Sequence, residues 1–89
     1  MPDAGASLAQ LVTFVVRTLV DHPDAVHVEV REDAQGLVVA LRVAPEDMGK
    51  VIGRQGRIAR ALRQVVRAAA VRSGIRAMLD IRSSEPTEE

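Results

Sequence analysis

Eight of the twelve cations in this 89-residue chain fall between residues 50 and 76, a stretch that contains no Asp or Glu. They are Lys50, Arg54, Arg57, Arg60, Arg63, Arg67, Arg72 and Arg76. Near the start of that stretch lies Val51-Ile52-Gly53-Arg54-Gln55-Gly56, two glycines three apart with Arg54 and Gln55 at the tip. Glycine accepts φ > 0 and brings no Cβ, so such a turn can bend sharply and lie against another polymer. A turn that opens a helix also presents unpaired N–H groups at the positive end of the helix dipole, which suits phosphate oxygens. The chemistry indicated is a grip on a sugar-phosphate backbone. Two glycines alone would be a weak signal, because ordinary helix-to-helix turns carry them too. The acid-free basic surroundings give this turn its weight.

The remaining candidate groups have simpler readings. His22 and His27 have no cysteine neighbours and no second ligand at metal spacing, and read as surface or hairpin residues. Glu46 and Asp47 are adjacent acids, but in the first turn of a helix they are explained by capping rather than by paired-carboxylate catalysis. Ser7 has a cap to make, and no Ser, His and Asp set suggests nucleophilic work. The glycine turn follows a helix and lacks the extra glycine of a Walker loop or a dinucleotide fingerprint. No residue set supports an enzyme, and neither a cofactor nor a metal is expected. Met48 and Met78 read as packing residues, and the distal Arg67 and Arg72 as a solvated helix face.

Twelve cations balance twelve anions, so any attraction to nucleic acid must come from the local basic face and not from bulk charge. The length suits one domain with a single small core. Phe14 is the one aromatic residue, which leaves Val, Leu, Ile and Ala to supply the burial and makes that core thin. With no cysteine there is no disulfide framework, in keeping with a reducing cytoplasm. The longest apolar stretch, residues 11–20, is interrupted by Thr13, Arg17 and Thr18. It is too short to span a bilayer and makes a poor signal peptide, so no membrane association is expected.

Residues 1–6 are small and polar and are expected to be disordered. Ser7, with Gln10 three residues on, marks a helix start. Leu8, Leu11, Val12, Val15 and Leu19 recur at helical spacing and predict a helix over residues 8–20, ended by His22-Pro23. Phe14 and Val16 lie off that stripe and suggest a second apolar flank, read as extra core with dimerisation left open. Val26, Val28 and Val30 alternate with His27, Glu29 and Arg31 as a strand with one wet face. After the turn cluster at residues 33–36, residues 37–43 form a second, nearly all-apolar strand, expected to be central and covered on more than one side. Pro45, Glu46 and Asp47 start a short helix that Gly53 stops. Ile58, Leu62, Val65 and Ala69 then form a core stripe, with Arg57, Arg60, Arg63 and Arg67 opposite. Ser73-Gly74 closes this helix, and Ile75, Ala77, Leu79 and Ile81 alternate as a last strand. Residues 83–89 read as a disordered acidic tail.

The order is helix, strand, strand, helix, helix, strand. A right-handed crossover from the second strand through two helices places the last strand parallel to the second. The expected fold class is therefore α+β: a three-stranded mixed sheet with three helices on one face, formed by residues 7–82.

With that order, the segment Val43-Ala44-Pro45-Glu46-Asp47-Met48-Gly49-Lys50-Val51-Ile52-Gly53-Arg54-Gln55-Gly56-Arg57 resembles a type II KH domain. More closely, it resembles the small stand-alone bacterial KH proteins of the KhpA (YlqC-like) family, over residues 8–81. The resemblance implies RNA binding, with the loop between the paired helices gripping about four unpaired nucleotides. Carried over residue by residue, Gly53 and Gly56 allow close approach, and Arg54 and Gln55 meet phosphates through side chain and N–H. Ile52, Ile58 and the second strand would line an apolar groove for bases. Helix geometry adds Lys50, Arg57 and Arg60 as flanking phosphate contacts. The family resemblance further implies self-association or a complex with a larger Jag-type (KhpB-like) RNA-binding protein, and a role as an RNA chaperone or post-transcriptional regulator. A rival reading makes the scaffold a protein-interaction or dimerisation module with weak or indirect RNA contact.

Overall fold

A computed structural model describes residues 4–84 of the chain. Helix α1 (Ala4–Leu19) is followed by a single 3-10 turn, Pro23–Ala25, then strands β1 (His27–Asp33) and β2 (Gly36–Val43). A second 3-10 turn, Pro45–Asp47, leads into the short helix α2 (Met48–Ile52). A third, Arg54–Gly56, joins α2 to the long helix α3 (Arg57–Arg72), and β3 (Ala77–Ser83) completes the fold.

The sheet order is β1-β2-β3, with β1 antiparallel to β2 and β3 parallel to β2. The hairpin is closed by Ala34 and Gln35, since Asp33 pairs with Gly36 and the Asp33 carboxylate accepts the Gln35 N–H at 2.8 Å. Register fixes the two faces. Val28 and Val30 of β1, Val39, Leu41 and Val43 of β2, and Leu79 and Ile81 of β3 share one face, and Leu8, Val12, Val16, Val51, Leu62, Val66 and Ala70 from the helices pack on it. The expected α+β fold, with a mixed sheet and three helices on one face, is the fold observed.

Several local expectations need correction. α1 starts at Ala4, so residues 4–6, expected to be disordered, form its first turn, and Ser7 and Gln10 lie inside the helix instead of capping it. Gly5 is already buried there. Tertiary burial outranks a local start signal in a short amphipathic helix. Residues 1–3 and 85–89, the remainder of the two segments read as disordered, lie outside the described residues, while Ser83 ends β3 and the Ser84 N–H donates to Val43 O at 2.7 Å.

Both long helices carry an apolar arc wider than one stripe, and the sequence did not locate its centre. In α1 the buried line is Gly5, Leu8, Val12 and Val16, with Leu11, Val15 and Leu19 half-buried beside it. Phe14, read as extra core, is 71% exposed. In α3 the buried line is Ala59, Leu62, Val66 and Ala70, one residue on from the expected stripe, and Val65 turns outward at 45% exposure. β2 is central as expected, but all three helices lie on one of its faces. Its other face, with Val38, Ala40 and Arg42, has no layer over it among the described residues. Met78, read as packing, is on that open face and 62% exposed.

The rotated α1 stripe gives a direct test. Val16→Ala should cost about 2 kcal/mol of unfolding free energy through lost transfer and a residual cavity. Phe14→Ala should change it by less than about 0.5 kcal/mol, as an exposed substitution does. Urea unfolding of the two variants checks the contrast; equal losses would restore the second apolar flank read from sequence, with Phe14 as core.

Candidate nucleic-acid interface

The turn between α2 and α3 is built almost entirely from backbone conformation. Gly53 ends α2 at φ 78° and ψ 173°, and its N–H donates to Gly49 O at 2.9 Å. Gln55 (φ 57°) and Gly56 (φ 74°) follow in the left-handed region, and the Gly56 N–H donates to Gly53 O at 3.1 Å. The first N–H groups of such a turn find no partner inside it, which leaves those of Arg54 and Gln55 at the exposed tip.

The two glycines are required for different reasons. A Cβ on Gly53 would come within 2.7 Å of Ile58 Cγ1, so this residue makes room for the chain's own apolar side chain. A Cβ on Gly56 would meet nothing within 4 Å. Gly56 is thus glycine for its φ alone, and the space beside it is open to another molecule. Gln55 holds the same left-handed conformation with a full side chain, a local strain of about 1–3 kcal/mol of the kind concentrated at functional loops.

The expected site residues divide into those that converge on the tip and those that do not. Arg60 Nη2 donates to Gln55 O at 2.9 Å, and Arg57 Nη2 reaches Gln55 Oε1 at 3.5 Å. Both guanidinium groups therefore stand over the loop, with exposed Arg54 beside them. Ile52 and Ile58 are half-buried, Ile58 lying against Gly53. Lys50 is held to one side: its Nζ is 3.3 Å from Asp21 Oδ2. That pair is largely exposed and worth at most about 1 kcal/mol, so a phosphate can compete for the ammonium.

The expectation that the second strand lines the groove is corrected by the topology. β2 is paired on both edges and Val39, Leu41 and Val43 are fully buried, so the strand with a free edge beside α3 is β3. Arg63, not among the expected site residues, marks that boundary with Nε 3.5 Å from Leu79 O. The spacing of Arg60, Arg63 and Arg67 was the available signal, but only the crossover shows which strand they face.

Asp47 was also misread. Its side chain makes no capping bond. It is 1% exposed, and its Oδ1 and Oδ2 accept the N–H groups of Asp21 and His22 at 3.1 and 2.9 Å. One buried carboxylate thus ties the link after α1 to the entry of α2 and so holds the base of the glycine turn. Nothing in the spacing of residues 21 and 47 could have shown this. Glu46 remains outside, 3.9 Å from His22 Nε2.

Comparison with known proteins places this arrangement. A family model described as KhpA/KhpB, KH domain, matches residues 9–81. The chain belongs to the KhpA/KhpB KH-domain family. Among its relatives, the RNA-binding protein KhpA of Halalkalibacterium halodurans is 54% identical over 71 residues, covering 80% of this chain and 93% of the relative. That of Caldanaerobacter subterraneus is 49% identical over 74 residues, covering 83% and 99%. Of solved structures, Aquifex aeolicus Era bound to GDP.AlF4- matches with a TM-score of 0.61 at 16% identity. The match covers 93% of this chain and 32% of that one, a likeness of fold alone. In this chain the loop at residues 53–56 joins the two helices that precede the last strand.

Removing the Asp47 carboxylate should weaken the whole platform. Asp47→Ala strands two backbone donors and should cost about 2–4 kcal/mol, against about 1–2 kcal/mol for Asp47→Asn, which keeps one acceptor. For the loop, Gly56→Ala should cost about 1–2 kcal/mol, the penalty of a side chain in the left-handed region, and Gly53→Ala more because Ile58 must also move. Denaturant midpoints measure all four, and equal costs at Gly53 and Gly56 would contradict the geometry.

Proposed function

We propose that this chain is a non-enzymatic module that binds single-stranded RNA, with the loop at residues 53–56 closing on the sugar-phosphate backbone. The observation that carries the reading is the left-handed turn through Gln55 and Gly56, open on the Gly56 side and flanked by Arg54, Arg57 and Arg60 with no acid between residues 50 and 76. Its relatives bear the name RNA-binding protein, which supports the same ligand class. Arg54 and the tip N–H groups take phosphate oxygens. Arg57 and Arg60, now on Gln55, swing to the strand, and Lys50 leaves Asp21 for a flanking phosphate. Ile52 and Ile58 supply the apolar floor on which bases rest.

The site is small, so one copy should bind weakly and read sequence poorly. A second copy, or a larger KhpB-like RNA-binding protein, would raise the effective concentration of a second site and supply the missing affinity. In that form the protein acts as an RNA chaperone or post-transcriptional regulator in the cytoplasm.

Fluorescence anisotropy of a labelled single-stranded RNA tests the loop. The combined Arg54→Asp and Gln55→Asp variant should lose saturable binding while circular dichroism stays unchanged. For the wild type, about three to four phosphate contacts predict a log-log salt slope of about −2 to −3. Equal affinity in wild type and variant would remove the assignment of the loop and favour a docking scaffold.

A further inference from the structure

The face of the sheet turned away from the helices carries a charge pattern that the loop does not use. β1 presents His27, Glu29 and Arg31 there, because Val28 and Val30 pack on the core. The register sets His27 beside Arg42 and Arg42 beside Arg82, so basic side chains form one row across all three strands. All three are exposed. Cross-strand partners on one face stand about 4.5–5.5 Å apart, and like charges at that spacing repel. Arg82 is partly answered by Asp80, at 3.0 Å in a largely exposed pair. His27 and Arg42 have no ion-pair partner among the described residues, and Glu29, one row along, pairs with neither.

The row lies at the end of the sheet where β3 stops. Ser83 pairs with Val43 and the Ser84 N–H donates to Val43 O at 2.7 Å, so the chain leaves the ladder at a fixed point beside β2. Ser84 shares the wall of an open cavity of about 510 Å³ with His27, Glu29, Ala40 and Arg42 of this outer face. Next in the sequence come Glu85-Pro86-Thr87-Glu88-Glu89, three acids in five residues with no cation. They lie beyond the family match, which ends at residue 81.

We infer that residues 85–89 cross this row as an acidic strap. The spacing fits the sheet. Proline sets its own φ and pushes the residue before it to extended backbone, which favours a polyproline-like path through Glu85 and Pro86. Such a chain advances about 3.1 Å per residue, so Glu85 and Glu88 stand about 9 Å apart. From β3 to β1 two strand spacings measure about 9–10 Å. A strap that leaves Ser84 across the strands therefore sets Glu85 near Arg82 and Arg42 and carries Glu88 to His27. The carboxylates accept charge-assisted bonds from the guanidinium groups, and His27 donates a ring N–H in either protonation state. Pro86 has no N–H to give, so the segment does not extend the ladder as a further strand. With the row covered, the arginines left open to a polyanion are those around the loop and along α3. The acidic segment, which the sequence pattern leaves without a role, thereby screens the second basic surface of the fold.

The chain has no cysteine, so a nitroxide on Thr87→Cys reports on this segment alone. Broadening of every backbone amide is read in the full ¹⁵N-labelled chain at low ionic strength, with and without the combined Glu85→Gln, Glu88→Gln and Glu89→Gln changes. Broadening at His27 and Arg42 should fall about threefold in the Gln background, the worth of roughly two exposed ion pairs. It should fall likewise in the acid-bearing chain as salt rises past about 0.1 M. Arg42→Ser, at an exposed position that spares the core, should lower the His27 effect in the same way. Equal broadening of the row in both backgrounds overturns the strap, since tethering alone would then bring the label there. Acid-dependent broadening centred on residues 54–57, with the row unmoved, overturns it by placing the segment on the loop. Broadening of equal size on a nitroxide-free ¹⁵N chain mixed with spin-labelled chain overturns it by placing the segment on a second copy.

Discussion

The sign of a few backbone angles between α2 and α3 decides the geometry of this protein. Gly53, Gln55 and Gly56 all take positive φ, and that turn sends α3 back along the sheet. Had the chain continued in right-handed helix, the arginines of α3 would have projected away from the sheet as one long helix's solvent face. Because it reverses, Arg63 meets the free edge of β3 and the cations become the wall of a groove. The same conformation leaves the tip amides and the space beside Gly56 open. Loop chemistry and groove thus share one cause.

A turn so short needs a rigid base, and this fold has little core to supply one. Its fully buried residues are mainly valines, with Leu41 as the largest side chain and no aromatic among them. Asp47 compensates with two charge-assisted bonds that lock the link after α1 to the start of α2. Charged hydrogen bonds in a buried site are directional where a small aliphatic core is not. The carboxylate fixes position and the valines fix proximity. On the side away from the helices no second layer covers the sheet among the described residues, and apart from Ala40 the burial in the sheet lies on the face that carries the helices and the loop.

The order of elements, the parallel return of β3 and the place of the glycine turn were legible in the sequence. Alternation of Val26, Val28 and Val30, the break at His22-Pro23 and the crossover rule together leave few arrangements. What was not legible depended on rotation or on distant contact. Periodicity shows that a helix has an apolar face but not which of several adjacent lines is its centre, so Phe14, Val16 and Val65 were all read inward while only Val16 is at the core. The roles of Asp47 and Lys50 depend on Asp21 and His22, more than twenty residues away in the chain and unrelated to them by any local pattern. The family resemblance, carried over to this chain, put the second strand along the groove. Centrality buries those side chains, and the free edge falls to β3.

The central claim is that the open, left-handed turn is the part of the molecule that meets RNA. Titrating the ¹⁵N-labelled protein with a short single-stranded RNA and following every backbone amide tests it most directly. The account predicts that the amides of Gly53, Arg54, Gln55 and Gly56 shift first and furthest, with smaller changes along α3 and β3. Shifts concentrated around Phe14 on α1 or on the open face of the sheet, with the four loop amides unmoved at saturation, would contradict it.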